Sequence, residues 1–380
     1  MKRTLILLLS ASFLSLPAVQ AHAEPTLGGA CKREGEIANM PTGKLICTKV
    51  GKVMKYVSAT GGTSGSSGVT PDKNVDPIVL KAYNAYNHLA CKSKHPNFNA
   101  TYLTSPSYSP ALLAKQKILF EQAMSCYSDY FDHAVGISIA LVTQNDYEFL
   151  AAQTFDGKPV FDDKKLSWAK FMMQRIGSGA GRFAGSAGWS NDTNSAWVLM
   201  IDSSKSTAPD EHGAAHEFVH ILQSFSKSTF FPFYGDGSTD ADYVNLPPWF
   251  WEGTAELFSY ASISSSAGIF SVQMASARMQ GKESPSLNKI TSTAGVISTL
   301  QKLEAPSNQE ANMMNYALGS VACEYLLATY GYAKYWSIMK NAGVYKDFSE
   351  NLKATIGLTQ DELFSKAAPF VLSQWKLSKF

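Results

Sequence analysis

The sequence predicts an α+β fold in which a mixed first half is followed by an all-helical second half. Apolar residues make up 45% and charged residues 17% of the 380 residues, which is typical of a globular protein with a sizeable core. Beyond Asp202, apolar residues recur at helical spacing and no clear strand remains. Short β-rich runs that indicate a small sheet occur before it, at 136–143, 147–153, 182–185 and 196–201.

Helical periodicity accounts for most of the remaining chain. We expect helices at about 78–92, 111–134, 164–176, 210–226, 249–263, 313–330, 332–341 and 359–377. No internal repeat with a period of about 20 to 50 residues is apparent. Residues 78–380 are therefore predicted to form one domain.

The first 23 residues have the pattern of a secretory signal peptide. Lys2 and Arg3 precede an apolar run at 5–16, and small residues follow at Ala21 and Ala23. This order predicts export, with cleavage after Ala23. An uncleaved membrane anchor is disfavoured, because Ser and Pro break the run and it is shorter than the roughly 20 residues that span a bilayer. We therefore expect a secreted, extracellular protein with no membrane span after cleavage.

Two further segments precede the predicted domain. Residues 24–57 alternate in short strands with glycines at the turns, which predicts a small β-rich module bridged by a disulfide. Residues 58–77 are rich in Gly and Ser and contain Pro71 and Pro77, which indicates a flexible linker. A long loop inside a single domain is the weaker alternative, since the prolines close the stretch just before a helical pattern begins.

The five cysteines fit an exported protein that uses a few disulfides. Cys31 and Cys47 bracket the hairpin-like stretch of the predicted module, and we expect them to pair. Cys91 and Cys126 lie in successive helical patterns and are also expected to pair. Cys323 lies in an apolar helix, where a buried free thiol is expected.

The charge balance gives no reason to expect a polyanionic partner. The chain has 33 lysines and arginines against 31 acidic residues, and two of the basic residues lie in the predicted signal peptide. The mature chain is therefore close to neutral, which gives no electrostatic case for binding DNA, RNA or an anionic membrane.

A candidate metal site begins with the H-E-x-x-H pattern of residues 216–220, which lie on a predicted helix. Histidines at positions i and i+4 project from one face of a helix, so the imidazoles of His216 and His220 can reach a single ion. Glu217 lies beside that face and can take a proton from an attacking water. This spacing predicts a metal-dependent hydrolase.

A second helix supplies the rest of the predicted site. Glu252 follows His220 by 32 residues, in the segment Pro-Pro-Trp-Phe-Trp-Glu-Gly-Thr-Ala-Glu. It completes a His₂Glu set, and a catalytic zinc site typically has three protein ligands and one open position. Glu256 lies one turn later on the same face, and we assign it the role of orienting His216 through that ring's N–H.

These motifs resemble those of the gluzincin metallopeptidases, the group that includes thermolysin and the zinc aminopeptidases. H-E-F-V-H-I-L-Q, W-F-W-E-G-T-A-E and Y-A-L-G follow in the order of that family, within about 196–340. The resemblance implies a thermolysin-like zincin catalytic domain, in which a small mixed β-sheet and an active-site helix precede a helical lobe. It also implies Zn²⁺ as the cofactor, Glu252 as the third ligand and Glu256 as the support of a ligand histidine. A tyrosine in a Y-x-x-G segment binds the oxyanion in the aminopeptidase branch, and Tyr316 matches it.

The function implied by the resemblance is secreted, zinc-dependent hydrolysis of peptide bonds. Glu217 would be the general base and Tyr316 the oxyanion stabiliser. Two departures from the family bear on the substrate. The gap between His220 and Glu252 is longer than usual, and no G-x-M-E-N segment, which binds substrate amino termini in the aminopeptidases, precedes His216. Aminopeptidase specificity is therefore not carried over, and we expect a peptide or protein substrate.

Several alternatives stay open at this point. One is a non-catalytic envelope or matrix binding protein on the same scaffold, although retention of every motif argues against such decay. Another is a zinc amidase that acts on cell-wall material, which the sequence discriminates poorly from a peptidase. His212, one turn before His216, is expected to be an exposed residue at the helix start; a ligand role for it would compete with Glu252. Asp210 and Glu211 are expected to be acidic residues that favour the helix N-terminus.

Overall fold

The chain divides into two compact units, residues 1–58 and 59–380. The predicted signal peptide and most of the predicted linker fall outside the residues that are described, as does the segment 226–245 between the two site motifs. The computed structural model describes residues 37–40, 43–50, 53–58, 75–86, 91, 97–127, 130–131, 133–155, 157–179, 181–190, 195–225, 246–280, 290–304, 313–342, 344–345 and 347–377.

The first unit contains a three-stranded antiparallel sheet. Its strands, in the spatial order β1-β2-β3, are β1 (Ile37–Met40), β2 (Gly43–Val50) and β3 (Val53–Ser58). Cys47 is buried in β2 and lies opposite Tyr56 of β3. Cys31, the expected disulfide partner of Cys47, lies outside the described residues.

The second unit is built on a four-stranded sheet with the strand order β4-β5-β9-β8. In chain order its strands are β4 (Phe98–Thr104), β5 (Val135–Thr143), a short hairpin of β6 (Thr154–Phe155) and β7 (Lys158–Pro159), β8 (Phe183–Ser190) and β9 (Ser195–Asp202). Strands β4, β5 and β9 are parallel, whereas β8 is antiparallel to β9 and forms one edge. The central strands β5 and β9 are covered on both faces, which explains their almost continuous apolar sequence.

Helices cover the sheet and form the second half of the unit. In chain order they are α1 (Pro77–Ala85), α2 (Pro110–Tyr127), α3 (Tyr147–Ala151), α4 (Asp163–Gly177), α5 (Gly213–Phe225), α6 (Pro248–Ile263), α7 (Ala267–Gln280), α8 (Thr293–Lys302), a π-helical turn (Asn315–Gly319) that runs into α9 (Ser320–Lys340), α10 (Phe348–Ile356) and α11 (Gln360–Leu377). Among the described residues, no strand follows Asp202. The predicted α+β class, with a helical second half, is confirmed.

Alternate side chains of β9 face two separate hydrophobic clusters. Val198 and Met200 belong to the main core, which the sheet shares with α2, α5 and the helical second half. Trp197 and Leu199 belong to a smaller cluster under α3 and α4. This alternation follows from strand geometry, in which successive side chains point to opposite faces. The sheet therefore lies between two helical layers, and α5 is enclosed by β8, α2 and α6.

Some predicted elements were wrong. The run 147–153, expected as a strand, forms helix α3 instead. The Asp146 carboxylate accepts hydrogen bonds from the backbone and hydroxyl of Thr143, which closes a turn after β5 and takes the chain out of the sheet. Strand β4 and helices α7, α8 and α10 were not predicted from the sequence. The helices expected at 313–330 and 332–341, by contrast, do divide at Gly331: within α9 this residue has a φ of 77° and a ψ of 166°, which are not helical, and it separates two helical segments.

The cysteines of the second unit behave as expected. Cys91 and Cys126 form a disulfide, which ties the end of α2 to the segment after α1. Cys323 is a buried free thiol in α9. Within the part of the chain that the structure describes, no helix is both long enough and apolar enough to cross a bilayer.

Candidate metal centre

Helix α5 carries the two histidines that the sequence identifies as candidate ligands. Every residue from Gly213 to Gln223 is buried, because neighbouring elements enclose the helix. His216 and His220 lie one turn apart on the same face, and their Nε2 atoms are 3.2 Å apart. The i, i+4 spacing thus brings two imidazole nitrogens to one point inside the protein.

Helix α6 brings Glu252 to the same point. The helix begins at Pro248, where proline is favoured because an N–H in the first turn would have no partner within the helix. Glu252 Oε2 lies 3.4 Å from His216 Nε2 and 3.5 Å from His220 Nε2. This oxygen is buried and makes no hydrogen bond with any of the described residues.

The contacts of the two Nδ1 atoms indicate the tautomer of each imidazole, and so whether its Nε2 directs a lone pair toward the cluster. Gln223 Nε2 donates to the Trp251 carbonyl at 2.9 Å, and its Oε1 lies 2.8 Å from His220 Nδ1. The amide is oriented by that carbonyl, which can only accept, so His220 Nδ1 donates and Nε2 holds the lone pair. His216 Nδ1 faces Glu256 Oε1 at 3.3 Å, which favours the same tautomer.

The spacing of these atoms fits a tetrahedral metal ion. Metal–ligand distances of about 2.0–2.1 Å place neighbouring tetrahedral ligand atoms about 3.3 Å apart. The three observed separations are 3.2, 3.4 and 3.5 Å. Converging lone pairs in a buried site repel one another unless a cation or a proton lies between them. The group formed by His216, His220 and Glu252 can therefore hold a metal ion.

Burial and charge shift the pKa values of the group in opposite directions. Burial alone would raise the pKa of Glu252, but the charge of His220 and the contact with His216 lower it to about 2. Burial alone would lower the pKa of His216, but Glu252 and Glu256 raise it well above its ordinary value. A proton on His216 Nε2 occupies the lone pair that a bound cation would use, so metal binding releases that proton.

Glu217 lies beside the histidine pair and faces the edge strand β8. Burial raises the pKa of its carboxyl group, although the charges of His216 and His220 oppose the shift. Its Oε2 is buried and has no hydrogen-bond partner among the described residues. Gly185 of β8 leaves the space that this side chain fills, because a Cβ at that position would overlap the carboxylate. A buried carboxylate with an open acceptor position is what a general base requires.

Tyr316 lies in the π-helical turn and contacts the His216 ring of the group. Its ring is parallel to the His216 imidazole, with the centroids 5.8 Å apart and an interplanar angle of 14°. Burial raises its pKa well above the ordinary value, and the charges of Glu252 and Glu217 add to this shift. The hydroxyl therefore keeps its proton and can act as a hydrogen-bond donor at the edge of the metal-binding group.

Two glycines explain how Glu252 and Tyr316 come together. A Cβ on Gly253 would overlap the backbone of Gly319, and a Cβ on Gly319 would overlap the backbone of Trp249. The backbones of α6 and the π-helical turn are therefore in direct contact. Glu252 precedes Gly253, and Tyr316 lies three residues before Gly319, so this crossing brings both side chains to the same site.

Glu256 and His212 extend the cluster along α5. Glu256 Oε1 lies 3.3 Å from His216 Nδ1, where an orienting carboxylate must lie, and 3.5 Å from His212 Nε2. The expectation that His212 is exposed was wrong: its side chain is 16% exposed, because α6 covers the start of α5. Burial would lower the pKa of His212, but Asp210 and Glu256 raise it to about 10.

The residues that hold the histidine rings were not predicted from the sequence. Trp251 is parallel to the His220 ring, with centroids 5.3 Å apart, and Tyr260 is parallel to the His212 ring at 4.6 Å. Gln223 fixes the tautomer of His220, and its spacing of three residues on the same helix is a signal that could have identified it. The aromatic contacts come from another helix and leave no such local signal.

Comparisons of the chain with protein-family models, with curated proteins and with solved structures found no match. The resemblance to the gluzincins therefore rests on the motifs alone. The chemical case for the site rests on its geometry, in which three candidate ligands, a buried carboxylate and a tyrosine converge.

Proposed function

We propose that this chain is a zinc-dependent peptidase of the gluzincin type. One observation carries the proposal: the lone-pair atoms of His216, His220 and Glu252 converge at tetrahedral spacing beside the buried carboxylate of Glu217. Two imidazoles and one carboxylate form a ligand set typical of catalytic zinc, which leaves a fourth position open. A structural zinc site would instead close that position with a further Cys or His.

The remaining residues have distinct roles in peptide hydrolysis. A bound Zn²⁺ would polarise the scissile carbonyl and lower the pKa of water. Glu217 accepts a proton from the water that attacks the carbonyl carbon, and then delivers it to the departing amine nitrogen as the C–N bond breaks. Tyr316 donates its O–H to the oxyanion. Gln223 and Glu256 orient the two imidazoles through their Nδ1 atoms.

The first test is the metal content of the purified mature protein, measured by plasma mass spectrometry, for the wild type and for Glu252→Ala. We expect one zinc per chain in the wild type and much less in the variant, because two histidines alone leave the ligand set incomplete. If the wild type holds no zinc after replenishment, the peptidase proposal fails and the binding-protein alternative is favoured.

The second test separates metal binding from turnover. Glu217→Gln should keep zinc and lose about 10²- to 10⁴-fold in peptide hydrolysis, which is the usual contribution of a general base. The control is Glu148→Gln, since Glu148 is exposed on α3 and lies on the far side of the sheet. Full activity in Glu217→Gln would contradict the assigned role of the base. A substrate panel that includes cell-wall amides distinguishes a peptidase from an amidase.

A further inference from the structure

His212 and Asp210 form a chain of contacts that ends at a candidate metal ligand. Asp210 Oδ1 lies 2.6 Å from His212 Nδ1, and His212 Nε2 lies 3.5 Å from Glu256 Oε1. The same Glu256 oxygen lies 3.3 Å from His216 Nδ1. The order is therefore Asp210, His212, Glu256 and His216, and the last of these presents its Nε2 to the metal-binding group.

The His212 ring is held on three sides. Its two nitrogens face two different carboxylates, and its plane lies against Tyr260 at an interplanar angle of 15°. Rotation of the ring about its side-chain torsions would break all three contacts together. The ring therefore has one orientation, in which Nε2 is directed at Glu256.

Glu256 needs such a partner. Its side chain is 2% exposed, and its Oε2 makes no hydrogen bond with any residue in the described part of the chain. A buried carboxylate is costly unless polar or charged groups surround it. Oε1 lies between two imidazoles, so the position of His212 decides where that oxygen meets His216.

We propose that His212 and Asp210 are positioning residues of the metal centre, which act through Glu256 to hold His216 with its Nε2 directed at the ion. The proposal rests on the metal site of the proposed function and adds two residues to it. Groups that orient metal ligands typically contribute about 10- to 100-fold to metal affinity. We expect zinc affinity to fall by that factor when the contacts made by the His212 ring are removed.

A competing interpretation is a second metal site formed by His212, His216 and Glu256, whose ligand-type atoms also lie close together. His216 would then have to bind one ion through each nitrogen, which requires loss of both ring protons. Asp210 already lies at hydrogen-bond distance from His212 Nδ1. These contacts favour an orienting role, and the number of bound zinc ions distinguishes the two interpretations.

The experiment compares zinc affinity, by competition with a chromophoric chelator, in the wild type and in His212→Phe. Phenylalanine keeps a ring against Tyr260 and removes both nitrogens. We expect zinc affinity to fall about 10- to 100-fold and the visible spectrum of the cobalt-substituted protein to change. The control is His133→Phe, because His133 is exposed and its ring contacts Phe225, at the end of α5 away from the cluster.

Two further measurements keep the proposal testable. Asp210→Asn should weaken zinc binding in the same direction, and this variant is informative if His212→Phe does not fold. In a Glu256→Gln background, His212→Phe should cost little further zinc affinity, because the effects of substitutions within one network of contacts do not add.

Unchanged zinc affinity and an unchanged cobalt spectrum in both single variants would overturn the proposal and leave the peptidase assignment intact. Additive effects in the double variant would do the same. Two zinc ions per wild-type chain, with one lost in His212→Phe, would also overturn it. A wild type without zinc would refute the proposed function itself.

Discussion

The contact between α6 and the π-helical turn can be tested by adding one methyl group to Gly253. A Cβ at this position would overlap the backbone of Gly319 and Ser320. Backbone atoms cannot rotate away as a flexible side chain can, so the two helical segments must separate. Carbon atoms in ordinary contact are about 3.5–4.0 Å apart, which requires a separation of roughly 1 Å.

The expected cost has two parts. Overpacking typically costs about 1–3 kcal/mol, and the upper end applies because both sides of this contact are backbone. Alanine is more favourable than glycine within a helix by about 1 kcal/mol, so the net loss in the free energy of unfolding should be about 2 kcal/mol. The effect on metal binding should be larger. Ligand positions in a metal site are set to within about 0.2 Å, and Glu252 is the neighbour of Gly253.

We therefore expect Gly253→Ala to lose more zinc affinity than the roughly 10- to 100-fold that is lost when a residue that orients a metal ligand is replaced. The assays are urea unfolding of the metal-free protein and chelator competition for zinc. The control is Gly295→Ala in α8, where a Cβ would meet its nearest atom, Ser292 Oγ, at 3.4 Å. That variant should be as stable as the wild type or slightly more stable. A Gly253→Ala protein with wild-type stability and zinc affinity would refute the close crossing.

Three other outcomes follow from the structure. Gly185→Ala should displace the Glu217 carboxylate, and so keep zinc but lower the turnover number about 10²-fold or more. Tyr316→Phe should also keep zinc and lower the turnover number on the order of 10²-fold, as the loss of one oxyanion donor does. Burial raises the pKa of Glu324 to about 7, against the opposing charge of Arg278. Between about pH 4.5 and 7 the folded protein therefore binds a proton that the unfolded chain has released, and the free energy of unfolding should fall by about 3 kcal/mol as the pH rises. Glu324→Gln should lack this decrease.

Matched controls sharpen these three predictions. Gly181→Ala places its Cβ no closer than 3.7 Å to its nearest atom, so turnover should not change. Tyr330→Phe removes a half-buried hydroxyl outside the site. The pH series compares metal-free wild type with metal-free Glu324→Gln, which removes the contribution of proton release by zinc. Wild-type turnover in Gly185→Ala or in Tyr316→Phe would show that the assigned contacts do not act as described. The same conclusion would follow for Glu324 if the free energy of unfolding changed equally with pH in the metal-free wild type and in metal-free Glu324→Gln.

The helical second half and the histidine pair could be predicted because both depend on local spacing. Apolar periodicity located α5 and α6 to within a few residues at each end. Residues four apart on a helix share a face, so His216 and His220 had to lie together once α5 formed. The errors arose where local pattern is ambiguous: a single turn such as α3 is too short for helical periodicity to differ from strand alternation.

The sequence by itself determined that His216, Glu217 and His220 share one helix and that Glu252 and Glu256 share another. Only the tertiary structure decided how these helices meet. The direct backbone contact at Gly253 places Glu252 against the histidines, and the cover that α6 provides leaves His212 partly buried instead of exposed. The physical reason is that periodicity specifies which side chains share a face. Which two faces come into contact depends on packing between segments that are distant in the chain, and no local spacing records it.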